Sequence, residues 1–165
     1  MPHHHHQRKC IFCAVGPEGF RLEHLSDQYA VFHDINPSAV FHLQVIPRQH
    51  LRDINALDAS HIPMLRQFGA LAQEIIQRDH FVQVTGPNPQ ILIGFHVPPF
   101  TSVHHLHMHV LVLPIRLRRM YKYSGIAGWF ITLEDTIKRL ESVAPPPSTI
   151  QGASANDDDD AMQVD

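Results

Sequence analysis

The hydrophobic and polar positions of the chain divide it into strand-like and helix-like stretches. Residues 29–35 ("YAVFHDI") and 40–47 ("VFHLQVIP") are rich in β-branched and aromatic residues, a composition typical of strands. The stretch between them, residues 34–39 ("DINPSA"), supplies the asparagine and proline of a turn. The pattern predicts two consecutive strands in this part of the chain.

A helical period replaces this pattern in residues 56–81. Apolar side chains recur there at helical spacing, so that one stripe of the predicted helix can pack on a sheet. Asp58 or Ser60 is placed to cap the start of the helix, and Pro63 fits its first turn. The apolar stripe consists of Leu65, Phe68, Leu71, Ala72, Ile75 and Ile76.

Two further strands and a second helix follow. Residues 89–97 ("PQILIGFHV") and the histidine-rich residues 104–114 are strand-like, and "PPFTS" separates them. In residues 132–140 ("TLEDTIKRL"), Thr132 can cap a short helix and Asp135 stands at the acidic position of a capping box. The order of elements predicts an α+β domain with a mainly antiparallel sheet, one long helix packed across it and a short C-terminal helix.

The segment 104–114 ("HHLHMHVLVLP") places four histidines within six residues and then becomes apolar. Side chains alternate between the two faces of a strand, so His105, His107 and His109 should share one face. Three imidazoles on one buried face are costly unless each has a polar partner. These histidines are therefore either solvated or part of a chemical site.

The 165 residues are enough for one domain with a substantial core. We expect this domain to span residues 10–143, after a histidine-rich start (residues 1–9) and before a disordered acidic tail (residues 144–165). The net charge of −3 includes the four consecutive aspartates at positions 157–160 of that tail, so the body is near neutral or slightly basic, which is too weak a signal for a nucleic-acid surface. We find no apolar run of membrane-spanning length and no signal peptide, and we therefore expect a cytoplasmic or nuclear protein without membrane contact.

Cys10 and Cys13, in "KCIFCAV", are the two cysteines of the chain. Two thiols at this spacing, in a chain without an apparent secretory signal, give weak support for a structural disulfide. They could form half of a zinc site, a redox pair or two inert thiols. A zinc site needs two further ligands from elsewhere in the chain.

Several motifs of the chain, taken in order, resemble those of the histidine triad family. The alternation in residues 105–111 ("HLHMHVL") is similar to that family's signature. Residues 32–50 ("FHDINPSAVFHLQVIPRQH") look like its first hairpin, and residues 94–114 look like its catalytic strand pair. "GWFIT", followed by a short helix, resembles the closing segment of the histidine triad nucleotide-binding protein 3 type, which is related to the catalytic domain of aprataxin.

The resemblance implies a nucleotide hydrolase that cleaves nucleoside 5'-phosphoramidates, such as AMP joined to an amine. His107 would attack the α-phosphorus and form a covalent nucleotidyl-histidine, while His109 would hydrogen-bond to the phosphate or relay a proton. A neutral imidazole is chemically suited to such an attack. The resemblance also places at Ser102 a hydroxyl that contacts the phosphate or the leaving group, and assigns Asp34 and Ile35 to nucleoside binding.

The same resemblance supplies candidates for the missing metal ligands. Family members that keep Cys-x-x-Cys bind zinc through both cysteines, the histidine of the "P-x-x-H" stretch and the first triad histidine. In this chain these residues are Cys10, Cys13, His50 and His105. Two thiolates and two imidazoles form a closed tetrahedral set suited to structural zinc, and no organic cofactor is implied. The family's Asn-Glu-Gly stretch is replaced by "GFHVPP", which leaves any role of His96 open.

The expected partner is a purine nucleotide conjugate as substrate, and the resemblance implies that the protein can form a homodimer. Two other functions stay open, namely aprataxin-like removal of AMP from 5'-adenylated DNA and a nucleotide-binding scaffold with little activity. An acidic tail would repel DNA, which argues against a nucleic-acid partner. The intact triad and Ser102 argue against a scaffold, so hydrolysis is the favoured hypothesis.

Overall fold

The computed structural model describes residues 10–143, and the predicted histidine-rich start and acidic tail lie outside them. One six-stranded sheet runs through these residues in the order β1-β2-β3-β5-β4-β6. Each neighbouring pair of strands is antiparallel, which confirms the prediction of a mainly antiparallel sheet. The strands are β1 (Leu22–Leu25), β2 (Tyr29–His33), β3 (Ala39–Pro47), β4 (Ile91–His96), β5 (Met108–Ile115) and β6 (Phe130–Thr132).

The predicted long helix, α1 (Ile62–Ile76), lies across one face of the sheet. Beneath it, Leu43 and Val45 of β3 and Val110 of β5 are fully buried. Most of the buried apolar residues belong to the cluster on this face, which is therefore the main core. Burying one such side chain contributes about 1.5–3 kcal/mol of hydrophobic free energy. The buried side chains of α1 are Leu65, Phe68, Ala72, Ile75 and Ile76, while Leu71 is half-buried at their edge.

The 3-10 turn Ala59–His61, which leads directly into α1, is capped by one of the two residues that the sequence offered. The Ser60 N–H donates a hydrogen bond to the Asp58 carboxylate at 2.9 Å. The His61 ring in turn accepts from the Asp58 N–H at 3.2 Å, which completes a capping box. Asp58 is therefore the cap, and Pro63 lies in the first turn of the helix as predicted.

The short closing helix, α3 (Leu133–Val143), also has the predicted start. The Asp135 N–H donates to the Thr132 hydroxyl at 3.1 Å, and that hydroxyl donates to the Asp135 carboxylate at 2.7 Å. The helix then packs beside α1 and β4. Within residues 10–143, each helix is too short or too polar to cross a membrane.

The strand predicted from the histidine-rich segment begins later than expected, at Met108. Before that point the Leu106 N–H donates to the Leu51 carbonyl at 2.6 Å, in the loop that follows β3, and not to a neighbouring strand. His105 and His107 therefore precede the strand. The prediction that the three alternating histidines share one strand face is wrong for these two residues, because their segment bonds to a loop.

Three short elements were not predicted, namely β1, β6 and a helix α2 (Asp79–Thr85). They contain four, three and seven residues respectively. Segments of this length complete too few repeats for a hydrophobic period to stand out from the background. Their formation depends on the neighbours against which they pair or pack.

Candidate active site and metal centre

The face of the sheet opposite α1 is partly polar and lines a cavity of about 1180 Å³. His42 and Gln44 of β3 reach this cavity, as does His109 of β5. Successive side chains of a strand point to opposite faces, so the intervening Leu43 and Val45 face α1 instead. The structure brings the predicted residues Asp34, Ile35 and Ser102 to the same cavity.

His107 is 5% exposed and lies between the rings of Phe12 and His109, whose centroids are 5.5 and 5.0 Å away. Its Nδ1 is 2.7 Å from the carbonyl oxygen of His105. A carbonyl oxygen only accepts, so Nδ1 carries the proton and Nε2 keeps its lone pair. Burial lowers the pKa of His107 below its ordinary value of 6.5. The ring is therefore neutral near pH 7, with Nε2 available as a nucleophile.

His109 is bonded to a histidine that the sequence analysis did not select, His42. The Nε2 of His42 lies 2.7 Å from the Nδ1 of His109, and the Ser38 N–H donates to the Nδ1 of His42 at 3.3 Å. Because His42 accepts at Nδ1, it donates from Nε2, and His109 must carry its proton on its own Nε2. That nitrogen is buried and has no hydrogen-bond partner within residues 10–143. His109 therefore offers an N–H donor to an occupant of the cavity.

Burial keeps both of these imidazoles neutral. It lowers the pKa of His42 to about 4 and that of His109 well below 6.5, and the neighbouring imidazoles lower the pKa of His109 further. The Asp34 carboxylate, 3.6 Å from the Nδ1 of His42, acts in the opposite direction on the His42 pKa. The available sequence signal for His42 was a histidine inside a largely apolar strand, which is costly without a polar partner.

Asp34 is held just after β2 by two hydrogen bonds. Its Oδ1 accepts from the Asn36 N–H at 2.7 Å, and its Oδ2 accepts from the Gln44 Nε2 at 2.6 Å. Ile35 beside it is 93% exposed and adds an apolar surface to the wall of the cavity. Ser102 is exposed at the rim of the same cavity. The predicted nucleoside and phosphate contacts thus surround one space.

The structure also places His96, whose role the sequence left open. Its ring centroid lies 4.7 Å from that of His109, and its Nδ1 is 3.3 Å from the carbonyl oxygen of Trp129. Burial lowers the pKa of His96 below 6.5. His96 is therefore a third neutral imidazole of the cavity lining, beside His42 and His109.

A second cluster contains the predicted metal ligands. One ligand atom each from Cys10, Cys13, His50 and His105 lies within 4.8 Å of the others. The two sulfur atoms are 3.4 and 3.5 Å from the His105 Nδ1, and the Cys13 Sγ is 3.3 Å from the His50 Nδ1. In a tetrahedral zinc site, Zn–S bonds of about 2.3 Å and Zn–N bonds of about 2.0 Å place sulfur and nitrogen about 3.5 Å apart. The cluster therefore has the donor atoms and the spacing of a metal site.

His105 has the tautomer that a metal ligand needs. Its Nε2 lies 2.9 Å from the Pro47 carbonyl oxygen, so that Nε2 carries the proton and Nδ1 presents its lone pair to the sulfurs. Burial raises the pKa of the Cys13 thiol above 9.0, and the neighbouring Cys10 adds to the increase.

Comparison with known proteins identifies the family of this chain. The family model described as "Scavenger mRNA decapping enzyme C-term binding" matches residues 9–122. "Adenosine 5'-monophosphoramidase HINT3" of Xenopus tropicalis is 30% identical over 146 residues, which cover 84% of this chain and 92% of that protein. The chain belongs to the histidine triad family.

Two further comparisons extend this result within the histidine triad family. "Bifunctional adenosine 5'-phosphosulfate phosphorylase/adenylylsulfatase HINT4" of Arabidopsis thaliana is 34% identical over 138 residues, or 79% of this chain and 90% of that protein. The solved structure of a histidine triad protein from Clostridium difficile has a TM-score of 0.56 at 22% identity, covering 67% of this chain and 97% of that one. The latter shows a shared histidine triad fold.

Proposed function

We propose that this protein hydrolyses nucleoside 5'-phosphoramidates and releases AMP and a free amine. The observation that carries the proposal is the pair of tautomers at His107 and His109, of which His109 lines the cavity. His107 has an unprotonated Nε2, and the neighbouring His109 has a buried Nε2 without a partner in the described residues. A nucleophile beside an N–H donor suits attack on a phosphoryl group whose oxygens gain negative charge. The names of the relatives, adenosine 5'-monophosphoramidases, support AMP as the transferred group.

In the first step the lone pair of the His107 Nε2 forms a bond to the α-phosphorus. The bond from phosphorus to the amine nitrogen breaks, and its electron pair leaves with the amine, which takes a proton from solvent. The His109 N–H donates to a phosphate oxygen as charge builds on it. The Ser102 hydroxyl, at the cavity rim, hydrogen-bonds to the departing nitrogen. The product is AMP joined covalently to His107.

In the second step a water molecule attacks the same phosphorus. The bond from phosphorus to the His107 Nε2 breaks, its electron pair returns to the ring, and the proton of the water goes to solvent. The His105 carbonyl keeps the proton on the His107 Nδ1 throughout. The same atom of the ring is therefore ready for the next substrate.

The nucleoside binds on the Asp34 side of the cavity in this proposal. The carboxylate of Asp34 accepts hydrogen bonds from ribose hydroxyls, and the exposed Ile35 packs against the base. Two hydrogen bonds already fix the position of that carboxylate. A binding group fixed before the substrate arrives loses little entropy on binding.

We also propose that the metal centre holds a structural zinc ion. Cys10, Cys13, His50 and His105 provide the four ligands, and their spacing and the His105 tautomer support this assignment. Zinc bound there would tie the segment before β1 to the ends of two loops. His105 also provides the carbonyl that orients His107, so the ion would steady the nucleophile without taking part in the reaction.

The test of the main proposal is incubation of the full chain with AMP joined to a primary amine through a P–N bond. We expect AMP and amine to appear in equal amounts, and faster than AMP appears from 5'-adenylated nicked DNA. Faster release from the DNA would favour the aprataxin-like function. Tight AMP binding without release from either compound would favour a scaffold.

A second candidate reaction uses an anionic leaving group. Arg119 and Lys122 line the same cavity, and within residues 10–143 neither has a carboxylate at ion-pair distance. Two unpaired cations would attract a sulfate or phosphate group in that half of the cavity. The Arabidopsis relative is named for reactions of adenosine 5'-phosphosulfate. Adenosine 5'-phosphosulfate is therefore the second substrate to examine.

Replacing both cations separates the two substrates. We expect Arg119→Gln with Lys122→Gln to lower kcat/KM for adenosine 5'-phosphosulfate about tenfold, because the attraction for a charged leaving group is lost. Turnover of a phosphoramidate with an uncharged amine should change less than threefold. Equal losses for both substrates would show that the two cations act on AMP and not on the leaving group.

A further inference from the structure

The side chain of Gln44 has a buried acceptor with nothing to accept from. Gln44 is 7% exposed, and its Oε1 has no hydrogen-bond partner within residues 10–143. A buried polar group without a partner costs about 1–3 kcal/mol, so such groups are rare in folded proteins. Gln44 also lines the cavity, where a bound molecule could supply the missing partner.

The orientation of the Gln44 amide follows from its other bond. Its Nε2 lies 2.6 Å from the Asp34 Oδ2. A carboxylate accepts and cannot donate, so the amide nitrogen must face Asp34 and the oxygen must be the free atom. The partner that is missing is therefore a hydrogen-bond donor.

The position of Gln44 indicates which part of a nucleotide would meet it. Gln44 is the direct cross-strand partner of His109, and its amide bonds to Asp34. It therefore lies between the proposed phosphate donor and the proposed ribose acceptor. Phosphate oxygens bring no proton near pH 7, whereas a ribose brings two neighbouring hydroxyls. The Asp34 carboxylate and the Gln44 oxygen present two acceptors side by side to such a diol.

We propose that the Gln44 Oε1 accepts a hydrogen bond from a ribose hydroxyl and makes the site selective for ribonucleotides. The inference rests on the proposed function and adds a selection between ribose and deoxyribose to it. One hydroxyl would satisfy the oxygen of Gln44 while the other bonds to Asp34. A deoxynucleotide leaves one acceptor buried and unpaired, and sites built in this way discriminate strongly against analogues that lack the group.

The test measures binding and does not depend on turnover. Calorimetry with the full chain compares AMP, 2'-deoxy-AMP, 3'-deoxy-AMP and IMP. We expect one deoxy analogue to bind about tenfold more weakly than AMP, and IMP to bind within about threefold of AMP. In Gln44→Met the deoxy penalty should fall below about threefold. The control, Gln73→Met at an exposed position of α1, should keep the tenfold penalty.

A double-mutant cycle separates contact with the sugar from support of Asp34. If Gln44 touches the hydroxyl, Gln44→Met will still reduce the deoxy penalty in an Asp34→Ala background. Loss of that effect would overturn the proposal and make Gln44 a positioning residue for Asp34. Equal binding of AMP and both deoxy analogues by the unchanged protein, or a Gln44-dependent penalty with IMP alone, would also overturn it while leaving the hydrolase intact. Absence of any nucleotide binding would overturn both.

Discussion

Two clusters of side chains, the metal centre and the histidines beside the cavity, contain the near neighbours His105 and His107 respectively. The ring nitrogens of these two histidines have different hydrogen-bond partners. In the metal centre, the Nε2 of His105 is bonded to the Pro47 carbonyl, and the Nδ1 faces two sulfur atoms. In the other cluster, beside the cavity residue His109, the Nδ1 of His107 is bonded to the His105 carbonyl, and the Nε2 keeps its lone pair. In each ring a backbone carbonyl oxygen fixes the proton on one nitrogen, which is Nε2 in His105 and Nδ1 in His107. The lone pair is therefore on opposite nitrogens of the two rings.

In both clusters the partner of one ring nitrogen decides what the other nitrogen of the histidine can do. A lone pair that faces two thiols suits the proposed metal ligand His105, whereas a lone pair without a neighbouring donor suits the proposed nucleophile His107. The two clusters are also connected, since the carbonyl that orients His107 belongs to His105. Changes in the metal centre should therefore reach the chemistry indirectly and with smaller effect.

The largest expected effect is that of removing the nucleophile. We expect His107→Ala to lower kcat for AMP-amine hydrolysis by at least about a thousandfold, because the attacking atom is gone. The affinity for AMP should change less than about threefold. The matched control is His104→Ala, an exposed histidine of the same run, which should keep activity within about twofold. Comparable losses in both variants would remove the distinction between the two residues.

The next largest effect concerns the metal centre. A chain that begins at Gln7, and so lacks the histidines of residues 3–6, should contain about one zinc ion per molecule. Cys10→Ser with Cys13→Ser should lower Tm by about 10 °C and activity by about tenfold. The loss of activity is indirect, because a loosened His105 acts on His107 only through its backbone carbonyl. A strong chelator should lower the Tm of the unchanged protein similarly. A purified protein without zinc, whose Tm does not change when a chelator is added, would contradict the assignment of a zinc site.

The buried imidazoles of His42 and His109 should make the folded protein less stable in acid. The pKa of His42 is about 4 in the folded protein and 6.5 as the ordinary value, and the difference corresponds to about 3 kcal/mol. Between these values the unfolded chain binds more protons, so stability is complete above pH 6.5 and is lost as the pH falls toward 4. Burial of His109 acts in the same direction.

Denaturant unfolding between pH 7 and 4 measures this effect. The two-serine variant is the proper background, because acid would also protonate the metal ligands of the unchanged protein. His42→Gln in that background should flatten the dependence of the free energy of unfolding on pH. Identical slopes with and without His42 would show that its burial does not resist protonation.

The sequence predicted those features of the fold that depend on residues close together in the chain. The stripe of α1 and the caps Asp58 and Thr132 followed from local rules, because period and capping depend on near neighbours. The late start of β5 at Met108 did not, since the Leu106 N–H bonds to Leu51 in a distant loop.

The candidate site divides in the same way. The ligand set and His107 were named from the resemblance, and the structure brings the four ligands together. The pairing of His42 with His109 depends on the register between β3 and β5, which the sequence does not state. The tautomers of His105 and His107 likewise depend on carbonyl groups whose positions only the fold provides.

The smallest expected effect is at the rim of the cavity. Ser102→Ala should lower kcat/KM for an AMP-amine substrate by about two- to fivefold, because the exposed hydroxyl supplies one hydrogen bond that water can partly replace. Ser142→Ala, on the exposed side of α3, is the control and should have no effect. A loss as large as that of His107→Ala would place Ser102 among the groups required for the chemistry.

Direct detection of nucleotidyl-His107 tests the central claim. The unchanged protein is mixed with excess AMP-amine substrate, quenched in alkali during the first turnover, and digested for mass spectrometry of the histidine-rich peptide. We expect a mass increase of one AMP group on His107, which appears before free AMP and decays as AMP accumulates. Complete AMP release with no such adduct at any time, or an adduct on His105 or His109 instead, would contradict it.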